Sequence, residues 1–457
     1  MRIKLASKLI EKTEKRVVVG LGSTGLSCAR YLYQRGIPFT VIDTRAQPPA
    51  LNELRREMPD VEVFSGDYPS EIITRATEII VSPGMSIDAP IVLQAKAAGA
   101  YVVGDIDLFM REATAPVIGI TGSNAKSTVT ELLGQMALDA QLNVGVGGNL
   151  GTPALDLLSP ERDLYVLELS SFQLERAGRL GLTVATVLNL SADHMDRHCT
   201  MSAYQQAKHR IFHGCKTVVV NRDEPLTIPI RSADVEVISW GMDKPEAGSF
   251  GLCYQADVEY LCNGLEALLP VSELSLTGRH NVANALAALA LGHAAGLPLA
   301  NMQSALQTFK GLPHRCELIA DIRGIRFIND SKGTNIGATE AALYGLGGAS
   351  NVLLIAGGQS KGADFSQLQQ AVSRHCKLLI VLGEDAPSLV QALSSCVAVL
   401  YVSSLEEAVS AAAMSAEVGD VVLLSPACAS FDMFSGYEQR GDAFRQIVSG
   451  FAGARSE

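Results

Sequence analysis

Lys126, Ser127 and Thr128 stand together in GITGSNAKSTVT, residues 119–130. A lysine followed by two hydroxyls, where an apolar run gives way to a helical pattern, suits polyphosphate. Backbone N–H groups and the helix dipole face the anion, the ammonium adds charge, and a hydroxyl can reach Mg²⁺. The usual loop of this kind is G-x-x-x-x-G-K-[ST]. Here Ala125 occupies the last glycine position and Ile120 the first, with Gly119 and Gly122 on either side of the latter. Alanine is compatible with such a loop if its φ is negative, because glycine is indispensable only at positive φ or where a Cβ would touch the ligand. The flanks agree: PVIGI reads as a strand, and Val129, Leu132, Leu133, Met136 and Ala137 recur at helical spacing. The reading is a phosphate loop; the alternative is a solvated helix start.

Two further stretches carry acid and imidazole chemistry. LYVLELSSFQLE leaves Glu168 at the end of an apolar strand, a natural place for a metal-holding carboxylate beside a phosphate loop. VLNLSADHMDRH sets Asp193, His194, Asp196 and His198 just beyond the next strand, so one loop holds several partners for metal or phosphate. Nearer the start, VVVGLGSTGLSCARYL presents Gly20, Gly22 and Gly25 as G-x-G-x-x-G after an apolar strand, and Asp43 closes the strand FTVID. That spacing builds a tight turn, a helix N-terminus for a pyrophosphate and an acid for ribose hydroxyls. It is specific for turn geometry, not for nicotinamide. A dehydrogenase, a protein for another diphosphate-bearing nucleotide, and a turn needed only for packing all stay open on these residues.

These groups need elements to hold them. In a first block, short apolar runs (RVVVG, FTVID, VEVFS, EIIVS, AYVVG) alternate with polar or helical stretches, which argues for a parallel sheet with crossover helices. A second block opens at APVIGITG and continues through LYVLELS, VATVLNLS and TVVVN to the helix-rich HNVANALAALALGHAAGL. Within it, residues 223–275 read as turns and short antiparallel strands. A third block runs from GIRFIND through NVLLIAGG, KLLIVLG, VAVLYVSS and DVVLLSPA. The expected fold class is therefore α/β in three domains, with boundaries near 105 and 312.

The chain has 457 residues, 47% of them hydrophobic and 19% charged, with a mean hydropathy of +0.20 and a net charge of -11. Acidic and basic residues are interspersed, so the broad basic footprint of a nucleic-acid binder is absent and anionic ligands must be held locally. No stretch reaches about 18 consecutive apolar residues, so no membrane-spanning helix is expected. The opening MRIKLASKLIEKTEKR places charges where a secretory leader needs an apolar run. Nine cysteines are scattered without a CxxC pair, which reads as reduced thiols in a cytoplasmic protein.

TGSNAKST, ELSSFQLE, NLSADHMDRH, GRHNVANALAA, LPHR, NDSKGTN and SPACASFDMF occur in that order, and together they make the chain resemble the Mur ligase family over essentially its whole length. The resemblance implies three domains: residues 1–104, Rossmann-like and binding UDP instead of NAD; 105–311, a central P-loop ATPase-like domain; and 312–457, a second Rossmann-like domain that takes the incoming amino acid. It implies an ATP-dependent amide ligase that adds D-glutamate to UDP-N-acetylmuramoyl-L-alanine through an acyl phosphate, in peptidoglycan precursor synthesis. A sister ligase adding another amino acid, or glutamate to a folate, is the neighbouring reading. ATP, two Mg²⁺ and small-molecule substrates are the implied partners of a cytoplasmic monomer that engages neither nucleic acid nor membrane.

Residue by residue, the resemblance gives Lys126, Glu168, His194 and Lys208 the catalytic roles. Gly22, Ser23 and Thr24 would face the diphosphate, Asp43, Thr44 and Arg45 the uracil end, with Ser82, Pro83 and Gly84 nearby and Asn149 and His194 toward the muramoyl part. Gly122, Ser123, Asn124, Ala125, Lys126, Ser127 and Thr128 would cradle ATP, Asn281 and Asn284 would meet adenine and ribose, and Arg315, Asp330 and Lys332 would make interdomain nucleotide contacts. Ser127 and Glu168 would serve one metal, and His194 with a carbamylated Lys208 the other; without the resemblance, Lys208 reads as an exposed helix lysine. Thr334, Lys361, Ser430, Phe431 and Tyr437 would line the amino-acid pocket. The departures from the family pattern are Ala125 for glycine, Gly333 for alanine, Gln359 for an acid and Tyr437 for phenylalanine.

Overall fold

The computed structural model describes residues 15–360 and 362–453. The first sheet is built from β1 (Arg16–Val19), β2 (Phe39–Asp43), β3 (Glu62–Ser65), β4 (Glu78–Val81) and β5 (Tyr101–Val103), with α1 (Ser23–Gln34) after β1. All its pairings are parallel, in the order β3-β2-β1-β4-β5. The strand order reverses between β1 and β4, and that switch point opens the crevice in which such sheets hold ligands. The glycine turn sits at this crevice. Gly20 has φ +94°, and a Cβ on Gly25 would lie 1.9 Å from the Gly20 carbonyl oxygen, so both positions demand glycine.

The central sheet gathers β6 (Val117–Thr121), β7 (Val144–Gly148), β8 (Leu164–Glu168), β9 (Val184–Val187), β10 (Thr217–Asn221), β11 (Glu236–Trp240), β12 (Phe250–Gln255), β13 (Val258–Asn263) and β14 (Glu266–Pro270). Its order is β14-β13-β12-β11-β10-β9-β6-β8-β7. β6 and β8 are buried along their whole length, which is why they read as continuous apolar runs. The helices that matter for the site are α2 (Lys126–Asp139), α3 (Ser171–Leu174), α4 (Met201–His209) and α5 (Arg279–Ala294). α2 and α5 pack into the core on one face of the sheet. The opposite face shares one continuous core with the first sheet, joining Val18, Leu21 and Phe109 to Tyr165, Leu167 and Ala185.

The third sheet comprises β15 (Glu317–Ile322), β16 (Ile325–Asn329), β17 (Val352–Gly357), β18 (Cys376–Leu382), β19 (Val399–Tyr401) and β20 (Val421–Leu424), in the order β15-β16-β20-β17-β18-β19. Only β15 and β16 pair antiparallel. α6 (Ile336–Leu346) and α7 (Tyr437–Gly453) belong to this part of the chain.

The α/β class and the strands read from apolar runs form as expected. Two strands escape the sequence reading. β7 is the glycine-rich VGVGG, and β15 is half-exposed and carries two acids. The region 223–275 is more ordered than turns and short strands suggest: β11 adds parallel to β10, and β12 to β14 extend the central sheet as an antiparallel meander. That meander also corrects the thiol reading. Cys253 and Cys262 form a disulfide with Cα atoms 6.2 Å apart. Cys253 lies opposite Tyr260 and Cys262 opposite Gly251, so the hairpin brings together two cysteines whose sequence spacing matches no framework.

Candidate active site

The loop from β6 to α2 is the centre of the site. Ala125 has φ 65° and ψ -4°, the left-handed region, which overturns the negative φ expected for it. The loop needs a left-handed residue immediately before the helix, and a residue with a Cβ in that conformation costs about 1–2 kcal/mol. Glycine would not bear that penalty. Lys126 Nζ is folded back on its own loop, donating to the carbonyls of Gly122 and Ser123 at 2.9 Å each. Partial burial pushes its pKa down, offset in part by Glu168 and Asp193.

Glu168 ends β8, beside β6, and is 2% exposed. Ser127 Oγ donates to its Oε2 at 2.5 Å and Asn149 Nδ2 to its Oε1 at 2.7 Å. Burial raises the carboxyl's pKa, but Lys126, Ser127 and Asn149 outweigh it and hold the group below the ordinary glutamate value. Arg315 reaches across from the third domain and donates to Ser127 Oγ at 2.6 Å.

Lys208, on α4, is 1% exposed, so the surface-lysine alternative fails. Its Nζ donates to the Gly122 carbonyl at 2.7 Å and lies 4.6 Å from the centre of the Tyr204 ring, one helical turn earlier. Burial first and the Lys126 charge second push its pKa well below the usual lysine range. A buried amine beside another cation is one that can be neutral and nucleophilic.

Of the loop after β9, Asp193 and His194 reach the site and the others do not. His194 Nε2 lies 3.6 Å from Asp193 Oδ2, and its ring packs edge-on against Phe172 at 4.8 Å. His198 turns away, exchanging a hydrogen bond with Ser171 Oγ at 2.9 Å and stacking on Phe172. Asp196 lines neither of the cavities described below. Among the described residues, no three His, Cys, Asp or Glu side chains cluster closely enough to hold a metal by themselves. The adjacent Ser127 hydroxyl and Glu168 carboxylate are nonetheless a donor pair suited to Mg²⁺, which takes one or two protein oxygens and completes its shell with phosphate and water.

Two cavities meet at this loop. One, of about 280 Å³, is lined by Asn124, Ala125, Thr128, Asn281, Asn284 and Asp330. Asn284 Nδ2 donates to Asn281 Oδ1 at 3.1 Å. The other, of about 540 Å³, is lined by Ser123, Lys126, Ser127, Asn149, Glu168, His194 and Lys208 on the central side. From the third domain it takes Thr334, Ser430, Phe431 and Tyr437. Asn124, Ala125, Arg315 and Lys332 border both. Lys332 Nζ lies 3.8 Å over the Tyr437 ring, and burial with the Arg315 charge pushes its pKa down to about 8. Burial lifts the Asp330 carboxyl to about 6 while it accepts from Ser425 Oγ at 2.7 Å. Gly333 has its reason here: a Cβ would come 2.5 Å from Asp330 Oδ2 and 2.6 Å from Ser425 Oγ. Gln359 donates to Glu384 at 2.9 Å, where an acid would repel it. Lys361 lies outside the described residues.

Asn149 and His194, expected toward the muramoyl part, line the larger cavity, but the residues expected to face the diphosphate and the uracil line neither. They gather at the switch point of the first sheet. Asp43 is buried, accepting from the Leu21 N–H at 2.7 Å and pairing with Arg45, while Ser82 Oγ donates to the Gly20 carbonyl at 2.8 Å. Asn335 is a site residue that the sequence reading missed, although it follows Thr334 directly. Its Nδ2 donates to Asn124 Oδ1 at 3.1 Å and Asp193 Oδ2 at 3.2 Å, joining the third domain to the phosphate loop.

A phosphate loop, a buried acid beside it and two cationic side chains from the third domain together define a nucleotide-dependent α/β protein of three domains. Three family models match in succession: "Mur ligase MurD-like, N-terminal domain" at residues 14–104, "Mur ligase middle domain" at 120–292 and "Mur ligase, glutamate ligase domain" at 314–428. The UDP-N-acetylmuramoylalanine--D-glutamate ligase of Pseudomonas aeruginosa is 52% identical over 446 residues, covering 97% of this chain and 100% of its own. The protein of that name from Legionella pneumophila is 50% identical, over 95% and 98%. The chain belongs to the Mur ligase family. Among solved structures, a pseudomurein peptide ligase type C from Methanothermus fervidus has a TM-score of 0.62 at 19% identity, over 96% of this chain and 100% of its own. The UDP-N-acetylmuramate-alanine ligase of Thermotoga maritima has 0.59 at 17%, with the same coverage, so the fold is shared. The first glycine turn thus belongs to a Mur ligase N-terminal domain, and the nicotinamide reading falls away.

Proposed function

We propose that this chain is the ATP-dependent ligase that joins D-glutamate to UDP-N-acetylmuramoyl-L-alanine, releasing ADP and phosphate. The observation that carries the reading is the meeting of the two cavities at the phosphate loop, where Asn124, Ala125, Arg315 and Lys332 border both: one runs past Asn281 and Asn284, and the other faces the third domain. The free carboxylate of the muramoyl nucleotide attacks the terminal phosphorus of ATP, giving an acyl phosphate. The amine of D-glutamate adds to its carbonyl, the tetrahedral intermediate collapses, and phosphate leaves as the amide forms.

The difficulty is electrostatic. Two unit anions about 4 Å apart repel by about 4 kcal/mol at an effective dielectric near 20. Lys126 exchanges its loop carbonyls for phosphate oxygens, and Arg315 and Lys332 add charge from the third domain. Ser127 and Glu168 would hold one Mg²⁺, and His194 with a carbamate of Lys208 a second, and these ions would supply further neutralisation. That carbamate would form once the buried ammonium has lost one proton: the neutral Nζ attacks CO₂, an N–C bond is made, a second proton leaves, and the neutral amine becomes an anion. Thr334, Ser430, Phe431 and Tyr437, with Lys361, receive D-glutamate. The three domains are those delimited at 104 and 311. We place the reaction in the cytoplasm, on a monomer, and among the described residues no helix is long and apolar enough to cross a membrane.

Phosphate release by the purified protein, with the muramoyl nucleotide and each of D-glutamate, L-alanine, L-lysine and diaminopimelate, tests the assignment. Release is expected with D-glutamate alone. Equal or greater release with another amino acid assigns the chain to a sister reaction.

A further inference from the structure

Arg176 follows α3 in the central domain, and its side chain is 0% exposed. Its donors are spent almost wholly on backbone carbonyls. Nε donates to Phe172 at 2.8 Å, Nη1 to Val81 at 3.1 Å and Ser82 at 2.6 Å, and Nη2 to Pro83 at 3.3 Å and Met85 at 3.0 Å. Nη2 also pairs with Glu175 at 2.9 Å. Four of those carbonyls belong to the stretch that leaves β4 in the first domain. Gly104 gives the stem its passage, since a Cβ there would lie 3.0 Å from Arg176 Cγ and 3.2 Å from Cδ. Arg197, from the loop that carries His194, donates to the Met85 carbonyl as well, at 3.0 Å. A charge this buried is tolerable only when its N–H groups are matched, and the planar fork of arginine matches several fixed acceptors where an ammonium cannot.

The position of the clamp gives it a part in the reaction. Ser82, held by Arg176, donates to the Gly20 carbonyl in the glycine turn, so the clamp reaches the first-domain crevice. At its other end, α3 begins three residues after Glu168. We propose that Arg176 is a positioning residue for the UDP-bearing substrate. It holds the Ser82–Met85 loop at a set distance from the phosphate loop, so that a nucleotide anchored in the first domain presents its far carboxylate to ATP. Misplacing the anchored end by about 1 Å is enough to lose large factors in rate. This inference rests on the ligase reading, and nothing in the sequence pattern around ELSSFQLERAG singled the residue out.

The test compares wild type with Arg176→Met and Arg176→Lys by steady-state kinetics, and by calorimetric titration with UDP and with the muramoyl nucleotide. Arg176→Met is expected to raise KM for the muramoyl nucleotide about tenfold or more, because several buried carbonyls lose their donors together. KM for ATP and D-glutamate should stay within about twofold, since their cavities are not lined by the clamped loop. Arg176→Lys, which keeps the charge but reaches fewer carbonyls, should fall between. UDP affinity should fall in parallel. If wild type consumes no ATP with the muramoyl nucleotide, the ligase reading fails, and the UDP titrations still decide the role of Arg176. If Arg176→Met does not unfold cooperatively, Arg176→Lys carries the test alone. UDP affinity, muramoyl KM and kcat all equal to wild type in the folded variants, or no UDP binding by wild type, would each overturn the proposal.

Discussion

At the residue scale, the site turns on one lysine that the fold has taken out of water. Lys208 is buried against the Gly122 carbonyl, and both burial and the Lys126 charge favour its neutral form. Only that form can attack CO₂, and only the resulting carbamate can offer a metal an anionic oxygen from this position. Lys208→Ala should therefore lower turnover at least ~100-fold, the scale of losing one group that stabilises transferring phosphate. Formate or acetate should restore part of it by supplying a carboxylate to the emptied space. Phosphate release measured across a carboxylate series decides this, and full activity in the variant without any addition would remove the carbamate role. Lys126, Glu168, Asp193 and His194 are legible in the sequence, because Lys126 opens a helix, Glu168 closes an apolar strand, and Asp193 and His194 share the loop that follows the next one. The burial of Lys208 was not legible locally, because its helix carries polar residues on the neighbouring positions and only the packing of α4 against the phosphate loop covers it.

At the element scale, the phosphate loop and its helix make one strained unit. Ala125 stands left-handed directly before α2. Ala125→Gly should remove a penalty of about 1 kcal/mol or somewhat less, because glycine gains freedom in the unfolded chain as it relieves the fold. Thermal unfolding should show a higher midpoint for the variant, with phosphate release retained; a lower midpoint would mean that the alanine methyl contributes packing that outweighs the backbone term. The strands were legible wherever burial on both faces made them continuously apolar, as in β6, β8 and β17. β7 was not, because a VGVGG strand has few side chains to show a pattern. A Cβ on Gly147 or Gly148 would strike the backbone of Thr152 or Glu168 at 2.3 or 2.5 Å, so close approach dictates the glycines there.

At the scale of the whole molecule, the larger cavity exists only because the central and third domains converge on the phosphate loop. Arg315 and Asn335 carry the third domain to the phosphate loop, and Asn335 does so with two hydrogen bonds, to Asn124 and Asp193. Asn335→Ala should weaken that docking and lower kcat about tenfold, the worth of one to two hydrogen bonds realised when the site closes. KM for the muramoyl nucleotide should change little, since its proposed anchor lies in the first domain. A variant with wild-type kcat, or one altered only in muramoyl KM, would show that the third domain docks without this residue.

Sequence alone determined the α/β class, the phosphate loop, the acids and imidazole beside it and, through seven motifs in order, the family. Those features are local: strand periodicity, a helix start and a turn are each dictated by neighbours along the chain. Tertiary structure alone decided that Lys208 is buried, that Ala125 is left-handed, that Cys253 meets Cys262 and that Arg176 ties the first domain to the second. Each of these depends on what lies across a packed interface. Burial changes the free energy of a charge or a backbone angle by amounts that no neighbour in sequence sets.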